Sequence, residues 1–221
     1  HSEVKGGRWY AMAGEGVVIM TTFPRGGAER SVGRGGFAHY FNEVWTGQEH
    51  QLAAHLLYEG LDEYALVVTR VLHDRHHAGR RNPYNEVECS DHYARAMASY
   101  GTFLAACGWE SHGPKGHIGF APRLTPDRFR APFTSAEGWG TIAQNRDAAS
   151  QTASVTIRYG RLRLRTLALA VPENRAPQSV RARLRGQDLP ATIEVAGTRV
   201  LVRLQSETVI QPDETLEVTL T

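Results

Sequence analysis

The chain has 221 residues and a formal charge of +2, with 22% charged and 41% hydrophobic residues. This is an ordinary globular composition, able to fill one large or two small cores. It carries no basic excess of the kind that marks nucleic-acid binding, and no apolar run approaches the roughly 20 residues needed to span a bilayer.

The chain opens at His1 rather than Met, and HSEVKGGRWY lacks signal-peptide architecture. The start is expected to be a cut boundary, so any targeting signal would lie in a missing N-terminal part and localisation stays open. Residues 1–40 are rich in glycine, with Trp9, Tyr10 and the run Val17 to Met20 interrupting it, and read as loops with at most one short strand. The GRGG run lacks the order and the strand-to-helix setting of a phosphate loop.

In residues 41–60, Thr46 and Glu49 form a T-x-x-E capping box ahead of an apolar face of Leu52, Ala53 and Leu56, and Gly60 ends the helix. A second helix follows at once, with Leu61, Ala65, Val68 and Leu72 on one stripe and Tyr64, Val67 and Val71 beside it, too apolar all round for a surface helix. The two predict an antiparallel hairpin with a very short joint. His73 and His77 share a helix face at zinc-ligand spacing, but there is no H-E-x-x-H motif and no nearby thiolate, so HDRHHAGRR reads as a solvated helix end and no metal is expected. Trp45, just ahead of the first helix, is either a sugar-stacking platform or a lid on the core.

The richest stretch is NPYNEVECSDHYARAMA, Asn82 to Ala98. Pro83 disfavours helix for Asn82, so the following residues are expected to be extended, with Glu86 and Glu88 on one side. Ser90 is a suitable N-cap for a helix running to about Cys107, with Tyr93, Met97, Tyr100 and Leu104 at helical spacing. The carboxylates therefore precede a helix that carries Arg95 in its second turn. A Glu and Arg pair can grip the hydroxyls of a saturated ligand, but on these residues alone a salt bridge tying a loop to a helix is the favoured reading, because ion pairs that only position elements are common. Glu86 and Glu88 also invite a glycosidase reading, although such pairs usually approach the scissile bond from opposite sides. Cys89 and Cys107 bracket this helix, about 27 Å apart if it is unbroken, and read as free thiols that lean towards a reducing, cytoplasmic setting.

Past residue 110 the chain mixes Gly, Pro and aromatic residues in short extended pieces, and from residue 151 it reads as β throughout. Alternation is strict in Arg161-Leu162-Arg163-Leu164-Arg165 and recurs in Thr198 to Leu204 and Thr215 to Leu220. Tyr159-Gly160, Gly186-Gln187-Asp188, Ala196-Gly197 and Pro212-Asp213 are the turn signals. The pattern predicts one small antiparallel sheet, apolar on one face and arginine-rich on the other. That second face is either solvated or a binder of an anionic polymer.

The blocks FNEVWTG, NPYNEVECSDHYARAM and GPKGHIGFAPR, followed by FTSAEGWGT, resemble the C-terminal part of glycoside hydrolase family 116, which includes bacterial β-glucosidases and the non-lysosomal glucosylceramidase. The resemblance runs from Phe41 to Thr141, and its E-x-E-C-x-x-H-Y-A-R block, Glu86 to Arg95, is long enough to be specific. It implies that residues 1–146 are the last helices of an (α/α)6 catalytic toroid; with the alternation read above, the chain is expected to be α+β, residues 147–221 forming a small antiparallel β-rich C-terminal region. It further implies retaining, exo-acting hydrolysis of β-linked sugars, with Glu86 and Arg95 holding glycon hydroxyls and Glu43 and Trp45 lining the same pocket. The nucleophilic glutamate and the acid/base aspartate of that family lie upstream of anything matching here, so no catalytic residue is expected in this chain. The implied partners are a carbohydrate substrate and the remaining N-terminal part of the enzyme, as another chain or segment. No cofactor is implied, and an oligomer is allowed. A β-glucoside is the main expectation for the substrate and a β-D-arabinofuranoside the alternative. A non-catalytic carbohydrate-binding or assembly module is the other class of function.

Overall fold

The computed structural model describes residues 14–19, 24–26, 44–80, 83 and 96–221. The chain divides into two compact units, His1–Ala105 and Ala106–Thr221. Its described helices are α1 (Thr46–Tyr58), α2 (Asp62–Arg75) and α3 (Ala96–Cys107). None is long and apolar enough to cross a membrane.

The joint between α1 and α2 is as short as the sequence predicts. Gly60 takes φ +76°, and the amides of Gly60 and Leu61 donate back to the carbonyls of Leu57 (3.1 Å) and Leu56 (2.8 Å), the paired bonds of a Schellman C-cap. The hairpin buries Ala53 and Leu57 from α1 and Ala65 and Leu72 from α2. From α3, Thr102 Oγ1 donates to the carbonyl of His50 on α1 at 3.1 Å. The apolar residues flanking the α2 stripe are a different matter: Tyr64 and Val67 remain 66% and 61% exposed, because the hairpin covers only one side of the helix. The proposed cap Ser90 lies outside the described residues.

Among the described residues, strands begin at Glu110, earlier than the β-rich region that the sequence suggests. They are β1 (Glu110–His112), β2 (His117–Phe120), β3 (Arg128–Thr134), β4 (Gly138–Arg146), β5 (Gln151–Gly160), β6 (Leu162–Ala170), β7 (Val180–Leu184), β8 (Gln187–Leu189), β9 (Ala191–Ala196), β10 (Arg199–Ile210) and β11 (Thr215–Leu220). The single predicted sheet is corrected to two: a five-stranded sheet ordered β1-β2-β6-β10-β9 and a six-stranded sheet ordered β3-β4-β5-β11-β7-β8. Pairing is antiparallel throughout except between β2 and β6. Period-two alternation puts Ala153, Val155 and Ile157 of β5, and Leu216, Val218 and Leu220 of β11, into the core. Leu162 and Leu164 of β6 face the same interior while Arg161, Arg163 and Arg165 stay outside. Phe120 of one sheet meets Phe129 of the other, with ring centroids 6.1 Å apart.

The turn signal Tyr159-Gly160 does separate two strands, and it is the corner at which the chain leaves one sheet for the other. Gly160 sits at φ +73°, and a Cβ there would lie 2.0 Å from the carbonyl oxygen of Glu137. Near the other end of β5, a buried polar cluster spans both sheets. Gln151 Nε2 donates to Gln144 Oε1 (2.9 Å) and to the carbonyl of Ala170 (3.0 Å), and Gln144 Nε2 donates to the carbonyl of Pro126 (2.7 Å). Buried amides that find these partners fix one relative placement of the sheets, which apolar packing alone specifies less sharply.

The surface of this unit holds several carboxylates below their usual range. Glu137 is lowered by hydrogen bonds from Arg163 and Arg161, and Asp147 by the backbone N–H groups of Ala149 and Ser150. A lowered folded-state pKa contributes stability that is present at neutral pH and is lost as pH falls through it. Denaturant titrations should therefore give level stability from pH 7 to about 5 and a decline below about 4. A second check separates strain from collision at the corner. Gly197 also has positive φ (+59°), but a Cβ there would meet nothing within 4 Å. Gly197→Ala should cost about 1–2 kcal/mol from the left-handed backbone alone, and Gly160→Ala clearly more, by chemical denaturation.

Candidate functional site

The N-terminal end of α1 and the C-terminal end of α2 are locked together by charge. The carboxylate of Glu49 accepts from both terminal nitrogens of Arg75, from Nη1 at 3.2 Å and from Nη2 in a shorter contact, and it also accepts the amide of Val18 at 2.9 Å. Arg75 Nη1 donates in turn to the carbonyl of Gly16 at 3.0 Å. Both side chains are essentially excluded from solvent, at 2% and 0% exposure. Outside this pair, Arg80 bonds Glu15 at 3.3 Å, so the segment 14–19 is tied to the same end of the hairpin.

This geometry corrects the expected capping box. Trp45, not Thr46, is the N-cap, with extended backbone (φ −112°, ψ 105°) and no side-chain cap bond. Thr46 is the first helical residue, and Glu49 turns inward because a buried guanidinium takes its carboxylate. Both oxygens of Glu49 are engaged and out of contact with water, so the group positions rather than reacts. For Arg75 the reading of HDRHHAGRR as a solvated helix end is corrected: the residue follows Leu72 by three, lies on the buried stripe of α2 and is 2% exposed.

Of the predicted pocket residues, Trp45 is described, half-buried at the mouth of α1, where its carbonyl accepts the amide of Glu49 at 3.0 Å. Glu43, Glu86 and Arg95 lie outside the described residues, as do Glu88 and Cys89. Ala96, next to Arg95, opens α3. His73 and His77 are exposed, and His76 Nδ1 lies 2.9 Å from the carbonyl of Leu72. Among the described residues, no three His, Cys, Asp or Glu side chains are grouped to hold a metal ion. Cys107 is a buried free thiol that burial pushes up to about 11.

The arginine-rich β surface is charge-compensated. Arg161 and Arg163 converge on Glu137 (2.9 and 2.7 Å), Arg165 pairs with Glu207 (3.1 Å), Arg181 with Asp188 (2.9 Å) and Arg203 with Glu194 (2.8 Å). Guanidiniums already bonded to carboxylates offer little net attraction to a polyanion.

No protein-family model and no curated protein matches this sequence. Solved structures with a partial likeness are glycoside hydrolases. A GH127 beta-L-arabinofuranosidase from Geobacillus stearothermophilus T6 is 11% identical over 57% of this chain and 18% of its own, with a TM-score of 0.33. An alpha-L-rhamnosidase from Dictyoglumus thermophilum is 10% identical over 62% and 15%, with a TM-score of 0.34. A third, titled glycoside hydrolase, is 14% identical over 64% and 21%, with a TM-score of 0.31. The chain thus matches about a fifth or less of the length of these structures, and likenesses this low carry no argument about its activity.

If Glu49 and Arg75 act as a positioning pair, removing one partner should cost far more than removing both. Arg75→Met is expected to destabilise by about 3–5 kcal/mol, since it leaves a buried carboxylate uncompensated, while Glu49→Leu with Arg75→Met costs much less. A double-mutant cycle by chemical denaturation measures the coupling.

Proposed function

We propose that this chain is the C-terminal, glycon-binding portion of a retaining, exo-acting β-glycosidase, with a β-glucoside as the favoured substrate. The observation that carries the reading is the block Glu86 to Arg95, whose order of acid, histidine, tyrosine and arginine resembles the glycon-gripping segment of glycoside hydrolase family 116. Glu86 and Arg95 would hold ring hydroxyls, and Glu43 and Trp45 would line the same pocket. The nucleophile and the acid/base would be supplied by the remaining N-terminal part of the enzyme.

Three features of the fold support this reading. Trp45 is placed at the start of α1, on the end of the hairpin where α2 finishes. The Glu49–Arg75 lock gives that end a rigid base, as a site that must orient a sugar requires. The uncovered Tyr64 and Val67 on α2 offer the apolar surface against which further toroid helices would pack. In this reading the catalytic-domain portion runs to residue 146 and takes in the first strands, because the matched blocks end at Thr141, and residues 147–221 are the β-rich remainder.

The test is kinetic and thermal together. In the complete enzyme, Arg95→Lys keeps the charge but loses the planar two-pronged contact. It and Glu86→Gln should lower kcat/KM by about 10- to 1000-fold, or roughly 1.4–4 kcal/mol, with little change in Tm. A salt bridge that only ties the loop to α3 gives the opposite result, a lowered Tm with near-normal kcat/KM. A β-D-arabinofuranoside processed in preference to a β-glucoside would keep the gripping roles and change the sugar.

A further inference from the structure

On the six-stranded sheet, Trp139 of β4 and Tyr159 of β5 are register partners whose rings stack with centroids 6.4 Å apart and planes 20° from parallel. They are 50% and 67% exposed. A cross-strand aromatic pair contributes to sheet stability, by about 0.2–1 kcal/mol relative to alanines. That explains why the rings pair but not why both present so much surface to water, at the corner that Gly160 builds. The register breaks between Trp139 and Gly140, a bulge that alters where the side chains at this end of the strand are aimed.

The surroundings of the rings are polar, ordered and nearly neutral. Glu137, two residues before Trp139, holds Arg161 and Arg163, and Arg158, next to Tyr159, bonds Asp213 at 3.0 Å. Thr134 of β3 is the register partner of Trp139, and Thr156 of β5 and Thr215 of β11 share a hydroxyl hydrogen bond at 2.8 Å. Flat apolar ring faces beside fixed donors and acceptors suit a ligand whose rings have apolar C–H faces and hydroxyl rims. Because the neighbouring guanidiniums already carry carboxylate partners, a neutral ligand fits better than a nucleic acid, which would need uncompensated positive charge. We propose that Trp139 and Tyr159 form a second, non-catalytic platform for a neutral oligosaccharide, stacking its sugar rings while Glu137, Arg158 and Arg161 contact its hydroxyls.

The site stands on the geometry of the β unit and does not depend on the glycon pocket. The test is titration of the full-length protein with cellotetraose, xylotetraose, mannotetraose and linear arabino-octaose, followed by tryptophan fluorescence and calorimetry. At least one of these is expected to bind in the millimolar range or tighter. Trp139→Ala and Tyr159→Ala should each weaken that binding about tenfold or more, Trp139→Tyr should retain most of it, and hydrolysis of a small aryl glycoside should be unchanged in all three. Absence of binding by every probe up to about 10 mM would overturn the proposal. So would binding that is lost in Arg95→Lys but untouched by Trp139→Ala, which places the sugar in the glycon pocket instead. Concentration-dependent self-association abolished by Trp139→Ala would identify the patch as a protein interface and equally overturn it.

Discussion

The helical unit depends on one buried ion pair. Glu49 and Arg75 lie 26 residues apart in sequence and close the hairpin at the end where α1 begins and α2 ends. Two charges taken out of water are tolerable only when their remaining hydrogen-bonding capacity is met, and here the amide of Val18 and the carbonyl of Gly16 complete the set. The same contacts pin the segment 14–19, which could bury little by itself, against the hairpin. The result is a fixed end of the hairpin, where Trp45 caps α1.

How much of this could be read from sequence follows from how local each signal is. Helices α1 and α2, the Gly60 joint and the strand alternation around Arg161 to Arg165 depend on residues within a turn or two of each other, and they are found where period and turn chemistry put them. The T-x-x-E box failed for the opposite reason, since a carboxylate that could have capped its own helix is taken by an arginine on the next one. Alternation likewise says which face of a strand is apolar but not which sheet the strand joins, so the turn signal at Tyr159-Gly160 does not tell a hairpin from a corner between sheets. Only the contact between Gly160 and the carbonyl of Glu137 reveals the corner.

The β unit illustrates a related limit. Arginines in alternation suggested a charged face, yet their carboxylate partners Glu137, Glu194 and Glu207 come from other strands or from distant parts of the sequence, and together they leave a surface of matched pairs. Nothing in the sequence pattern singles out Trp139 and Tyr159 as a pair, since they meet only through the register of β4 and β5. Their exposure is set by the sheet corner, not by their neighbours in sequence. The proposed glycon-gripping roles of Glu86 and Arg95 differ again: residue chemistry alone favoured a salt bridge, and the proposal rests on the resemblance of the whole block.

The central claim is that Glu86 and Arg95 face a sugar. A crystal structure of the complete protein soaked with a glycon-derived inhibitor tests it most directly. The account predicts glycon hydroxyls within hydrogen-bonding distance of the Glu86 carboxylate and the Arg95 guanidinium, with Trp45 lining the same pocket. An inhibitor bound elsewhere, with Glu86 and Arg95 bonded only to each other, would contradict it.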